Sequence, residues 1–307
     1  MLDTFIIPRL VNQKLSTLGM DSYEQCLDSQ QWKNYPYPVE YVFNDRGYRD
    51  TAWPSGLDHA VWCFGDSFTL GLGCPQQHTW PWLLAQRINT PVIAVSLNGA
   101  SNAWIARKIQ ELLAEMQPSA VIAQWSYTHR RELPLDHADS MTDLNNKLWR
   151  EFYSVIRDPS WPQCDTLAEF SNLPRIIQKE IQEQHYSPWS SIWFDHSGEP
   201  KLCNYLDEER MQHFLDNCSP EDDAADTVNH MIHVHDICAH ELVPLVYGFI
   251  PDFAGPLEAQ KILSQAPGLC WGETPQLDFA RDSHHYDRIT AEYVVQQILQ
   301  RLGDAIV

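Results

Sequence analysis

Three short stretches of this sequence carry residue types that together can do nucleophilic chemistry. Gly65-Asp66-Ser67-Phe68-Thr69-Leu70-Gly71 follows directly on the apolar run Val61-Trp62-Cys63-Phe64. A serine at the carboxyl end of a strand, just before a helix, stands where open α/β sheets put their ligand sites. Its hydroxyl can attack an acyl carbon while its own N–H faces the oxyanion that forms. Near the C-terminus, Arg281-Asp282-Ser283-His284-His285-Tyr286 places an aspartate and a histidine three apart on a loop before a helix. Such a carboxylate can accept the imidazole N–H, fix the tautomer and stabilise the imidazolium. The imidazole can then take the serine proton and return it to the leaving group. His284 competes with His285 for that role. Each stretch also has an ordinary explanation: Ser67 as a helix cap in a turn, and the two histidines as solvated rings on a polar loop.

The elements that must position these residues follow from apolar spacing. Ala60 to Phe64, Pro91 to Val95, Ser119 to Trp125 and Leu242 to Ile250 read as buried strands. Helical spacing runs over Thr79 to Ile88, over Asn102 to Met116 until Pro118 ends it, and over Asp287 to Leu302. Ser219-Pro220-Glu221-Asp222-Asp223 reads as a capped, acid-rich helix start leading to about His240. Strand and helix in alternation predict a parallel sheet covered by helices. Residues 1–58 are expected to form an N-terminal arm packed on the main domain of 59–307. Within the arm, Tyr41 to Arg49 reads as a short strand, a turn and a second extended piece. Residues 130 to 205, rich in Trp, Pro and charge, are expected to be an insertion or cap with a helix from Thr166 to His185.

The run GDSFTLG at 65–71 on an apolar strand, with a later D-x-x-H, resembles the SGNH/GDSL hydrolases. The resemblance covers 60–128 and 242–302. It implies a three-layer α/β/α flavodoxin-like fold and an esterase activity. The catalytic residues it implies are Ser67, Asp282 and, by the D-x-x-H spacing, His285. The family's second block contributes a glycine N–H to the oxyanion hole beside that of the nucleophile. Here that block is Val95-Ser96-Leu97-Asn98-Gly99-Ala100-Ser101-Asn102, so Gly99 takes the part. The third block departs from the pattern. Where the family shows G-x-N-D, this chain reads Gln124-Trp125-Ser126-Tyr127-Thr128 and has no asparagine. Aligned on the strand end, Thr128 occupies that position as a hydroxyl donor, with Ser126 and Asn102 as alternatives. Loss of one such donor costs about 10²–10³ in rate.

Composition narrows the partners. A formal net charge of −20 over 307 residues opposes nucleic acid and anionic membrane surfaces. No stretch reaches the length of a bilayer span and the N-terminus lacks signal-peptide character, so a cytoplasmic protein is expected. The eight cysteines form no C-x-x-C pair and read as buried free thiols. No cofactor and no metal is expected. His230, His233, His235 and His240 fall on one helix without a metal-ligand motif and read as a polar face. Trp80 and Trp82 read as core, and Arg130 with Arg131 and Glu132 as structural ion-pairing residues. The expected partner is a small-molecule or glycan ester. An O-acyltransferase using the same triad, or a non-catalytic glycan-binding or structural descendant, are the other classes open to this sequence.

Overall fold

The computed structural model describes residues 4–7, 10–18, 21, 29–54, 56–128, 130, 157, 159–165, 169, 173–174, 177, 193–194, 200–201 and 220–303. The chain forms two compact units, Met1–Arg130 with Pro220–Val307, and Arg131–Ser219. The first begins with β1 (Lys14–Leu15), α1 (Gln30–Asn34) and β2 (Tyr41–Val42), the two strands pairing antiparallel. It continues with β3 (Val61–Gly65), α2 (Ser67–Leu70), α3 (Trp80–Ala85), β4 (Val92–Ser96), α4 (Asn102–Glu115) and β5 (Ala120–Trp125). The second unit contains a short antiparallel pair, β6 (Trp193–Phe194) and β7 (Pro200–Lys201). The first unit then resumes with α5 (Pro220–His240), β8 (Leu245–Phe249), α6 (Pro256–Gln265), β9 (Leu269–Glu273) and α7 (Arg288–Leu302).

Five strands make one parallel sheet in the order β4-β3-β5-β8-β9. Counted along the chain this is 2-1-3-4-5, the flavodoxin-like order. The chain leaves β3 for the edge at β4, then turns back past β3 to β5. Right-handed crossovers in opposite directions put α3 and α4 on opposite faces of the sheet. The helices pack accordingly, α3 against α7 and α4 against α5, with α6 beside α5. The strand order reverses between β3 and β5, so their carboxyl ends frame the crevice where such sheets bind ligands. Both strands are buried along their whole length, which explains their continuous apolar runs.

All four expected strands of the sheet are present, each within a few residues of its sequence limits. The sheet has a fifth strand, β9, which the apolar pattern did not mark. It is an edge strand with partly exposed ends, and Gly272 at φ +86° interrupts its periodicity. Helix α6 also went unmarked; it starts on Pro256 with no side-chain cap. After Tyr41–Val42 the chain turns through 45–50 without the second extended piece. Ser219 and most of the expected helix from Thr166 to His185 lie outside the described residues, as does most of 130 to 205. Residues of the N-terminal segment share the main core: Phe5 and Tyr48 pack with Trp62 and the strands. Among the described residues no helix is long and apolar enough to cross a membrane.

Candidate active site

Ser67 is the first residue of α2 and follows β3 directly. The local sequence dictates this break. Asp66 leaves helical geometry and accepts the Phe68 N–H on Oδ1 at 2.9 Å, capping a helix of one turn. Gly71, at φ +78°, ends that turn by returning its N–H to the Ser67 carbonyl at 2.9 Å. Gly65 permits the close return of the helix. A Cβ there would lie 2.0 Å from Thr69 Oγ1. Thr69 is thereby free to donate to Gln124 Oε1 at 3.0 Å. Gln124, fully buried on β5, also accepts from Trp80 Nε1 at 3.1 Å and from the Tyr286 hydroxyl at 2.9 Å. One side chain thus ties the turn that carries Ser67, α3 and the loop after His285.

The structure brings Ser67, His285 and Asp282 into one chain of hydrogen bonds. Ser67 Oγ lies 2.7 Å from His285 Nε2, and His285 Nδ1 lies 2.6 Å from Asp282 Oδ2. The Nδ1–H tautomer, donating to the carboxylate, leaves Nε2 to accept from the hydroxyl. All three side chains are buried. Asp282 Oδ1 accepts two further bonds, from the N–H groups of His284 at 3.1 Å and His285 at 3.0 Å. Burial pushes the Asp282 carboxyl up, but the His285 imidazole and these N–H groups outweigh it. They hold the group below its ordinary range, so it is ionised at neutral pH. The Phe68 ring packs on His285 at 4.4 Å between centroids and on Tyr286 at 5.3 Å.

Gly99 is buried and sits at φ +81°, a conformation that favours glycine. Among the described residues neither the Gly99 N–H nor the Ser67 N–H is spent on a hydrogen bond. Thr128 is half-buried; its N–H goes to the Phe253 carbonyl at 3.1 Å, and no hydrogen bond links it to Ser67, Gly99 or His285. The two other hydroxyl or amide candidates are committed elsewhere. Ser126 Oγ donates to Asp66 Oδ2 at 2.6 Å. The Asn102 amide donates to Ser126 O at 3.3 Å and Thr227 Oγ1 at 3.2 Å, and accepts the Ser126 N–H at 2.7 Å. Asn102 therefore staples the start of α4 to the end of β5. His284 is exposed and meets the Tyr127 hydroxyl at 3.2 Å through Nε2.

The loop that carries Asp282 and His285 is held by the N-terminal segment. Arg281 forms a two-pronged pair with buried Asp21, at 2.5 and 2.6 Å, and its guanidinium lies 5.1 Å from the Trp32 ring centroid. Tyr41 donates to the same Asp21 and accepts the Gly73 N–H at 2.8 Å. Gly73 has to be small, because a Cβ there would come within 3.1 Å of the Asp282 carboxyl. Gln31 donates to Phe279 O at 3.2 Å, Ser29 meets Ser283 at 3.2 Å, and Tyr35 donates to Asp287 at 2.5 Å. None of these residues is marked by a motif. Except for Tyr41, which meets Asp21 and Gly73 at 20 and 32 positions, the partners lie 248 to 260 positions away, so no local spacing could have paired them.

Other expected roles resolve as follows. Arg130 is buried in an ion pair with Asp66 at 2.8 Å; Arg131 and Glu132 lie outside the described residues. Trp80 is core, whereas Trp82 is half-buried and lines a cavity of about 210 Å³ with Asp50, Thr51 and Gln86. On α5, His233 meets Gln110, and His235 and His240 meet their acidic neighbours Asp236 and Glu241. Cys63, Cys74, Cys164 and Cys238 are buried free thiols.

No protein-family model and no curated protein matches the sequence. Among solved structures, the fold is similar to that of TesA, with a TM-score of 0.41 and 11% identity over 81% of this chain and 100% of that one. It is similar also to the psychrotrophic esterase EstA from Pseudoalteromonas sp., solved with monoethylphosphonate as inhibitor, with a TM-score of 0.37 and 10% identity over 80% of this chain and 97% of that one. A thioesterase domain from the curacin biosynthetic pathway gives a TM-score of 0.29 and 14% identity over 80% and 93%. Scores below 0.5 say nothing about the chemistry of the site, which rests on its own geometry.

Proposed function

We propose that this protein is a serine ester hydrolase of the SGNH kind that works through an acyl-enzyme on Ser67. The observation that carries this reading is the unbroken chain Ser67–His285–Asp282, two short hydrogen bonds between buried side chains at the crevice of the sheet. Ser67 Oγ attacks the ester carbonyl as His285 Nε2 takes its proton. The Ser67 and Gly99 N–H groups, which among the described residues have no other acceptor, meet the oxyanion. Collapse breaks the C–O bond of the ester, and His285 passes the proton to the departing alcohol oxygen. Water then repeats the sequence and releases the acid. Asp282 stays ionised throughout and stabilises the imidazolium.

The test is intact-mass labelling with a fluorophosphonate on wild type and Ser67→Ala. The expected result is one adduct on wild type that is absent from the variant. An unlabelled wild-type protein, folded by circular dichroism, overturns the assignment.

A further inference from the structure

The third block lacks its asparagine; Ser126 Oγ and the Asn102 amide are engaged elsewhere, and Thr128, whose N–H goes to the Phe253 carbonyl, makes no hydrogen bond to Ser67, Gly99 or His285. What occupies the space between the blocks is a guanidinium. Arg130 Nη1 lies 2.8 Å from Asp66 Oδ2, 2.7 Å from Ser126 Oγ and 3.3 Å from the Ala100 carbonyl. One nitrogen with two hydrogens faces three acceptors, so the longest contact is a shared one. The Arg130 side chain is 5% exposed and that of Asp66 0%. These three acceptors belong to the three strand ends that frame the site. Asp66 follows β3 and precedes Ser67. Ala100 follows Gly99 beyond β4. Ser126 ends β5. Asp66 also completes the bracing with its other oxygen, on the Phe68 N–H.

We infer that Arg130 is the positioning residue that replaces the third-block asparagine. It contributes no donor to the oxyanion. It sets the distance between the two backbone donors, Ser67 N–H and Gly99 N–H, by holding the residue before one and the residue after the other on the same guanidinium. This role rests on the reading of Ser67 as nucleophile. A hydrogen-bond donor displaced by a fraction of an ångström from a developing charge loses much of its worth, because the advantage of such donors is their fixed placement. Lysine keeps the charge but is a single-point donor on a flexible stem, so it cannot reproduce the bracing.

The experiment compares wild type with Arg130→Lys on p-nitrophenyl acetate, with kcat expressed per serine titrated by fluorophosphonate. That normalisation removes any loss due to misfolded protein. The expected result is a fall in kcat of about 10²-fold with KM within about threefold, the scale of one misplaced oxyanion donor. The midpoint of the pH–kcat profile stays where it is in wild type, because the His285–Asp282 pair is untouched. If Arg130→Lys does not fold, the charge-free double variant Asp66→Asn with Arg130→Met is used, and the same loss in kcat is expected. Wild-type kcat in a folded variant overturns the inference, as does a loss confined to KM or a shifted pH midpoint. A wild-type protein that takes no fluorophosphonate overturns the Ser67 assignment itself, and the role of Arg130 with it.

Discussion

Among the described residues two buried aspartate–histidine pairs stand out, with Asp282, His285 and Asp287 on one stretch of chain and His78 reaching Asp287 from far away in sequence. In one, His285 Nδ1 meets Asp282 at 2.6 Å; in the other, His78 Nδ1 meets Asp287 at 2.6 Å. By distance and burial they are near equals. They differ in what surrounds them. His285 turns its Nε2 to the Ser67 hydroxyl at 2.7 Å. His78 stacks edge-on against the Tyr37 ring at 4.7 Å between centroids, and among the described residues no hydroxyl meets its Nε2. The carboxylates differ too. Asp282 takes two backbone N–H groups from its own loop, while Asp287 takes the Tyr35 hydroxyl from the N-terminal segment. An Asp–His bond is therefore no signature of catalysis. Under the proposed function the third partner decides: a hydroxyl on the free nitrogen makes a relay, and an aromatic wall makes a clamp.

The sharpest way to break this comparison is to remove each histidine. His285→Ala is expected to lower kcat/KM for a p-nitrophenyl ester by about 10⁴-fold or more, the scale of losing a general base. His78→Ala is expected to leave kcat within about threefold. It should instead lower the melting temperature by several degrees, since it strands a buried carboxylate at a cost of about 2–4 kcal/mol. If His78→Ala costs as much activity as His285→Ala, the two pairs are not distinct in function. The aspartates come next. Asp282→Asn is expected to cost about 10⁴ in kcat, because the amide favours the wrong imidazole tautomer. Asp287→Asn should again act on stability alone, measured by thermal denaturation beside a kinetic assay.

Acid stability sharpens the contrast. The Asp282 carboxyl sits below its unfolded value of about 3.9. In the window between the two values the unfolded chain binds more protons than the folded one, so stability rises with pH there. The contribution is complete above about pH 4 and is lost as pH falls through the folded value. Melting temperatures recorded from pH 5 downward should therefore fall less steeply in Asp282→Asn than in wild type. An unchanged acid slope would mean that the Asp282–His285 pair contributes nothing to folding.

How much of this the sequence announces depends on the range of the interaction. Ser67 and the Asp282–His285 spacing are legible because strand, turn and loop geometry are local, and a resemblance supplies the order of the blocks. The parallel sheet is legible through its unbroken apolar runs, whereas β9 is hidden by Gly272 and by its half-exposed edge position. The clamp is not legible. His78 and Asp287 stand 209 residues apart, and Arg281 and Asp21 stand 260 apart. Nothing in either local sequence distinguishes them from surface polar residues. Arg130 falls between these cases: an ion-pairing role is readable from its type and place, but its partner Asp66 lies inside the nucleophile motif and draws attention for another reason. Gln124 is a single polar residue in an apolar strand, a weak signal of a buried hub that only the fold completes.

The smallest expected effect concerns the clamp's outer member. Tyr35 donates to Asp287 at 2.5 Å, and burial, aided by that carboxylate, pushes its phenol far above the ordinary range, so it remains a donor at any working pH. Tyr35→Phe deletes this bond while His78 still holds the carboxylate. A hydrogen bond to a charged acceptor contributes about 1.5–3 kcal/mol, and partial exposure puts this one at the lower end. The melting temperature should drop by about 3–6 °C, with kcat unchanged. Asp287 is only two residues beyond His285, so slack in the clamp has a short path to the relay. Between them stands Tyr286, whose hydroxyl is fixed on Gln124 at 2.9 Å in the core of the sheet. If that anchor isolates the relay, Tyr35→Phe is silent in kcat. If kcat falls together with the melting temperature, the clamp and the relay are one mechanical unit, and Tyr286→Phe should then deepen the loss beyond the sum of the two single changes.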